Sequence, residues 1–217
     1  MSGLLNQWYM YGGVNSLYTY VNTTNGAQYY GTIVSPRNTK YVLIQCWGGG
    51  GGGGDGYFVG YGGGGGGGGG YTSCVLSCLP NKTFQFQVGT GPYGQGSGSA
   101  TQVYVLPSGY TTITAGGGTG GSDGYNGGAG GAGGSATNAN TSVGTFYGVA
   151  NTTRLISGGG GSAAANPSGG NGGSTATKLT PPYPTIDTTL VGYGGAGGTN
   201  GAGGNRAGGG AIMFYFY

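Results

Sequence analysis

Between Cys46 and Tyr71 the chain carries two uninterrupted glycine runs, seven residues at 48–54 and nine at 62–70, separated by DGYFVGY. Glycine loses more backbone freedom on folding than any other residue, and ordering one residue costs roughly 1–2 kcal/mol. Such runs either stay disordered or are held by something specific. Disordered segments are typically rich in charge and poor in aromatic groups, whereas here 4% of residues are charged and 12% aromatic, with 19 tyrosines. Collagen is excluded by the lack of a chain-long G-X-Y period and by only 8 prolines.

The segments around the glycine runs read as strands. YVLIQCW (41–47), YTSCVLSC (71–78), TFQFQV (83–88), ATQVYVL (100–106), YTTIT (110–114) and AIMFYFY (211–217) are rich in β-branched and aromatic residues and are bounded by Gly, Pro and Asn. TFQFQV alternates strictly, placing Phe84, Phe86 and Val88 on one face and Gln85 and Gln87 on the other. The preceding LPNK supplies a turn, so 71–78 and 83–88 are expected to form a half-buried antiparallel hairpin. No window carries an apolar stripe of helical period with caps. The expected fold is all-β, a sandwich or jelly-roll-like sheet pair essentially without α-helix. A lead segment, 1–40, with a candidate strand at 27–34, packs on or beside a glycine-rich domain at 41–217.

Elsewhere glycine falls in triplets. Gly118, Gly121, Gly124, Gly127, Gly130 and Gly133 recur at every third position, as do Gly195, Gly198, Gly201 and Gly204. A period of three belongs to the polyproline-II-like helix, which has no internal hydrogen bonds and must pair its amides with neighbours or water. With glycine on the contacting edge, several such helices approach closely enough for amide-to-carbonyl bonds and weaker Cα–H contacts between them, the polyglycine II arrangement. Nine residues at about 3.1 Å each span roughly 28 Å, the length of an eight-residue strand. The triplet glycines are therefore expected to be the packing surface of a rod bundle.

Composition narrows the chemistry. The chain has no histidine or glutamate, and its side-chain carboxylates are Asp55, Asp123 and Asp187. General acid–base catalysis lacks its usual groups, and GTGPYG at 89–94 is not followed by the lysine and helix of a phosphate-binding loop. No enzyme activity and no cofactor are expected. Cys46, Cys74 and Cys78 have none of the usual zinc spacings, so no metal is expected; they read as buried thiols, with one intrachain disulfide as the alternative. The six basic residues are scattered along the chain, without a patch for nucleic acid. MSGLLNQWYM lacks a signal-peptide pattern, and no apolar stretch approaches the roughly 20 residues of a membrane helix, so no membrane insertion is expected.

The ordered series of a strand ending in Trp that enters a glycine run (YVLIQCW-GGGGGGG), a second run leading to YTSCVLSC, then FQVGTG, triplet glycine and a closing GGGAIMFYFY resembles the glycine-rich domain of bacteriophage tail-fibre tips and related virion proteins. More distantly it is similar to the glycine-rich module of anaplastic lymphoma kinase type receptors. The resemblance spans roughly 41–217. It implies a β scaffold carrying polyglycine II helices, location in the virion, and partners among other virion proteins and a host surface protein or glycan. Further copies of the chain are also candidate partners.

Aromatic groups interrupt the glycine. Tyr57, Phe58, Tyr61, Tyr93, Tyr125, Phe146, Tyr147, Tyr183 and Tyr193 are candidate contacts for a receptor or partner, since exposed aromatic rings supply rigid amphipathic area. The bland alternative is that several of them cover sandwich edges. Two other classes compete: a flexible cell-wall or adhesive filler, and an ice-binding surface, which the irregular outward residues of the triplets do not favour.

Overall fold

The computed structural model describes residues 16–22, 27–56, 62–77, 80–106, 111–124, 136–138, 154–156, 170–171, 173, 191–199 and 202–217. Ten strands run through them: β1 (Ser16–Val21), β2 (Tyr29–Val34), β3 (Tyr41–Trp47), β4 (Tyr71–Ser77), β5 (Thr83–Val88), β6 (Thr101–Leu106), β7 (Thr111–Ala115), β8 (Ala136–Asn138), β9 (Arg154–Ile156) and β10 (Ala211–Phe216). They form two five-stranded antiparallel sheets, one ordered β1-β10-β3-β4-β9 and the other β2-β5-β6-β7-β8. There is no helix among the described residues, and hence none long and apolar enough to cross a membrane. The fold is all-β and sandwich-like.

The sheets meet face to face through side chains that alternate along their strands. Val42 and Ile44 of β3, Phe214 and Phe216 of β10, Phe84 and Phe86 of β5, Val103 of β6 and Ile113 of β7 belong to one buried cluster. Phe214 lies at its centre, with ring centroids 5.8 Å from Phe84 and 5.6 Å from Phe86. Gly31 of β2 sits over Phe86, where a side chain would strike the ring. The first sheet is buried on its other face as well, where Leu43, Trp47, Tyr71, Met213 and Tyr215 form a second cluster. This double burial explains why AIMFYF carries apolar residues without alternation and is buried at all six positions.

The expected hairpin of 71–78 with 83–88 is corrected by the pairing. β4 lies between β3 and β9 in the first sheet, whereas β5 lies between β2 and β6 in the second. Both edges of β4 are taken, and the chain after it crosses the sandwich through a turn at Pro80 and Asn81, the latter at φ 60°. Ser35, just beyond β2, receives that turn. Its hydroxyl accepts from Lys82 N at 2.7 Å, and its own N–H donates to Lys82 O at 2.8 Å. β5 therefore starts beside β2, and the alternation of Phe84 and Phe86 faces the first sheet across the interior instead of joining it edge to edge.

The segment 1–40 supplies β1 and β2, an edge strand to each sheet. β1, β8 and β9 carry no signal that the sequence reading identified. SLYTYV resembles its Tyr- and Asn-rich surroundings, and the other two strands span only three residues each.

Cys46 and Cys74 are free thiols in the interior cluster, while Cys78 lies outside the described residues. Burial pushes the Cys74 thiol up to about 12 and raises that of Cys46 well above its ordinary value, with the neighbouring Cys74 adding to the shift. Burial likewise raises the Tyr215 phenol. Two outcomes are expected. A group whose folded pKa is raised holds its proton longer folded than unfolded, so stability is fully present below the unfolded thiol value near 9.0 and declines above it; denaturation midpoints measured from pH 7 to 11 should be flat to about pH 8.5 and then fall. Phe214→Ala should cost about 3–5 kcal/mol in chemical denaturation, because it empties the centre of a closed aromatic cluster.

Candidate functional site

Several strands continue past one end of the sandwich as extended glycine rods. β3 runs into rod I (48–56), rod II (62–70) runs into β4, β5 and β6 are joined by rod III (89–99), β7 runs into rod IV (116–124), and rod VI (202–210) runs into β10. Rod V (192–199) lies among them. Rods I, IV and V point the same way, while rods II and VI and the 96–99 leg of rod III run back against them.

Rod I is the axis of this bundle. Its amides at 48, 51 and 54 donate to Gly70, Gly67 and Gly64 of rod II, those at 49 and 52 to Ser99 and Gly96 of rod III, and those at 50, 53 and 56 to Gly208, Asn205 and Ala202 of rod VI, at 2.8–3.1 Å. Its carbonyls at 49, 52 and 55 accept from Gly118, Gly121 and Gly124 of rod IV, and those at 51 and 54 from Gly195 and Gly198 of rod V. Successive residues thus face successive neighbours with a period of three, the polyglycine II pattern. One inter-rod bond per residue, worth about 1 kcal/mol net, is of the same size as the roughly 1–2 kcal/mol that ordering the residue costs.

The two uninterrupted runs belong to rods with neighbours on several sides: rod I, and rod II, whose amides donate to rods IV and V while its carbonyls accept from rod I and from Gly170 and Gly173. A Cβ on any residue from Gly48 to Gly54 would meet a backbone carbonyl of rod III, IV or V. Rod I has rods on all sides, so no position tolerates a side chain. Peripheral rods have a free edge and need glycine only on their contacting edges. In rod IV the interruptions Thr119 and Ser122 are exposed, and in rod V the interruptions Tyr193, Ala196 and Thr199 recur every third residue.

The predicted packing glycines within the described residues all sit on contacting edges. A Cβ on Gly118, Gly121 or Gly124 would enter rod II at the carbonyls of Gly67, Gly64 and Gly62, and on Gly195 or Gly198 would enter rod VI at Asn205 and Ala202. A Cβ on Gly204 would meet the Gly53 carbonyl. Gly127, Gly130, Gly133 and Gly201 lie outside the described residues.

Two groups of polar side chains close the bundle. At its base Thr101 is wholly buried; its hydroxyl donates to Trp47 O at 2.6 Å and accepts from Gly89 N at 2.9 Å, tying the ends of β3, β5 and β6 together. Asn22 adds a bond from Nδ2 to Val88 O and one from its N–H to Gly210 O. At the far end Asp123 Oδ1 accepts from Asp55 N, and Asp55 Oδ1 accepts from Gly204 N, both at 2.8 Å. These carboxylates stand in for carbonyls where the lattice runs out. Each is the eighth residue after its strand, β3 or β7, and that shared depth is the sequence signal by which they could have been found.

Of the aromatic candidates, Tyr93 is described and is 62% exposed, in the turn of rod III where Gly94 takes φ 60°. The Arg206 guanidinium stands 5.5 Å from its ring centroid, a cation–π contact between rods III and VI. Tyr193 lays its ring against Gly208 and so packs the bundle. Tyr57, Phe58, Tyr61, Tyr125, Phe146, Tyr147 and Tyr183 lie outside the described residues. Among the described residues no three His, Cys, Asp or Glu side chains are placed to hold a metal ion.

A family model described as a glycine-rich domain matches residues 23–212. The chain belongs to the glycine-rich domain family. The match takes in rods I to VI, strands β2 to β9 and the first two residues of β10, so sandwich and bundle are one domain of that family. No curated protein matches the chain.

The geometry separates two alanine substitutions that are chemically identical. At Gly51 the new methyl would drive into the Thr119 carbonyl, whereas at Gly203 its nearest neighbour is Asp55 Oδ1 at 3.5 Å, an ordinary contact. Gly51→Ala should destabilise by about 3 kcal/mol or more, or yield no folded protein. Gly203→Ala should fall within about 1 kcal/mol of the parent in the same thermal melt.

Proposed function

We propose that this glycine-rich domain protein is a non-enzymatic structural component of a viral particle, at the capsid, a vertex or a fibre, and that its rod bundle is a rigid projection. The observation that carries this reading is rod I, whose amides from 48 to 56 are all bonded, eight to neighbouring rods and one to the Asp123 carboxylate. A flexible adhesive filler has no use for such accounting, while a part that must hold a surface away from a particle does. The bundle is also nearly free of charge, which suits a chain that lives within an assembly. Its partners are other virion proteins and further copies of itself, without nucleic acid or membrane insertion.

Host attachment is the main elaboration of this role, up to a dedicated adhesin at a fibre tip. It is favoured by Tyr93, a large exposed ring steadied on the bundle's flank by Arg206. The remaining aromatic interruptions, Tyr57, Phe58 and Tyr61 among them, are candidate contacts with a host surface protein or glycan.

Quantitative mass spectrometry of purified particles, normalised to the major capsid protein, tests the reading. A few copies per vertex or fibre support an attachment or vertex role, hundreds support a capsid-wide surface role, and absence from the particle overturns it. In the attachment case the Tyr57→Ala, Phe58→Ala, Tyr61→Ala variant should fold as the parent does and lose binding to host cells.

A further inference from the structure

The outward face of the second sheet holds a groove that neither the sandwich nor the bundle requires. Its volume is about 470 Å³, and Tyr30, Thr32, Gln85, Gln87 and Tyr104 line it. Strand register dictates this cluster. Tyr30 on β2 is paired with Gln87 on β5, Thr32 with Gln85, and Gln85 in turn with Tyr104 on β6. Two tyrosines therefore stand diagonally across β5 with two glutamine amides between them.

The rings are held in place before any ligand arrives. The Tyr30 hydroxyl donates to Gln28 Oε1 at 2.6 Å, and the Tyr104 hydroxyl donates to Gln102 Oε1 at 2.7 Å. Gln102 is itself oriented by its Nε2, which donates to Thr114 Oγ1 at 3.3 Å. Tyr30 nevertheless remains 65% exposed, one of three large apolar or aromatic side chains so placed among the described residues. Gln85 is exposed and Gln87 half-buried, and each amide offers both a donor and an acceptor. β2, β5, β6 and β7 contribute no charged residue to this face.

We propose that this groove binds a neutral glycan, with the C–H face of a pyranose against Tyr30 or Tyr104 and its hydroxyls bonded by the Gln85 and Gln87 amides. A pyranose presents an apolar face and an equatorial rim of groups that donate and accept at once, and this groove is the complement of both. The absence of charged side chains from β2, β5, β6 and β7 selects against sialylated, sulfated or phosphorylated glycans. A protein partner is a poorer fit, because interfaces place their aromatic groups at a dry centre within a polar rim, and here the amides are central and the rings flank them. The site needs only the folded chain, so it stands or falls independently of the particle reading.

The test is titration of the full-length chain, by calorimetry or amide chemical shifts, with neutral trisaccharides built from glucose, galactose, mannose or N-acetylglucosamine. At least one should bind saturably with Kd between about 10 μM and 5 mM, the range open to a shallow site. Tyr30→Ala and Tyr104→Ala should each weaken it about tenfold or more, and Tyr30→Phe should retain it within about threefold. Gly203→Ala, at the far end of the bundle, should leave the affinity unchanged. No saturable binding to any of these probes, or binding indifferent to Tyr30→Ala, overturns the proposal. Binding confined to sialylated or sulfated probes also overturns it, as does dimerisation in sedimentation that Tyr30→Ala abolishes without any sugar binding, which would assign the face to a second copy of the chain.

Discussion

Backbone-to-backbone hydrogen bonds between glycine rods, cycling through their neighbours every three residues, are the interaction on which the bundle depends. They require carbonyls and amides of separate rods to approach without a Cβ between them, so glycine here is a steric requirement of the central rod more than a source of flexibility. Gly48 through Gly54 meet that requirement without exception, each directed at a carbonyl of another rod. Rods IV and V relax it on one edge, where Thr119, Ser122, Ala196 and Thr199 are admitted.

A lattice of identical residues has a weakness: sliding one rod past another by three residues recreates the same bonds. Glycine offers no side chain to forbid the slip. The sandwich forbids it, because rods I, II, III, IV and VI are each continuous with strands whose register is set by side-chain packing. Trp47 marks where β3 ends and the Gly48 amide begins the first rod bond, and Thr101 ties that point to Gly89 through a single buried hydroxyl. Asp55 and Asp123 mark the other end. The two sheets thus do more than bury Phe84, Phe86 and Phe214; they align the bundle.

The outward face of the second sheet is organised by different means. There the strand alternation that sends Phe84 and Phe86 inward sends Gln85 and Gln87 outward, and the pairing of β2, β5 and β6 brings Tyr30 and Tyr104 to either side of them. Bundle and groove are consequently separable features of one scaffold, one built from absent side chains and the other from neutral polar and aromatic ones.

Much of this was legible in the chain itself. The seven strands expected around 27–34, 41–47, 71–78, 83–88, 100–106, 110–114 and 211–217 are present to within two residues at each end, because β-branched and aromatic clusters bounded by glycine and proline are local signals. The threefold spacing of Gly118, Gly121 and Gly124, and of Gly195 and Gly198, is equally local. What the sequence by itself determined is this alphabet of strands and rods, since period two and period three are properties of short stretches. Only the tertiary structure decided that TFQFQV faces AIMFYF across the interior instead of pairing with YTSCVLSC, that rod I is the axis, and that Tyr30 and Tyr104 share a groove. Those depend on contacts between residues far apart in the chain, and a glycine, having no side chain, carries no mark of which distant carbonyl it will meet.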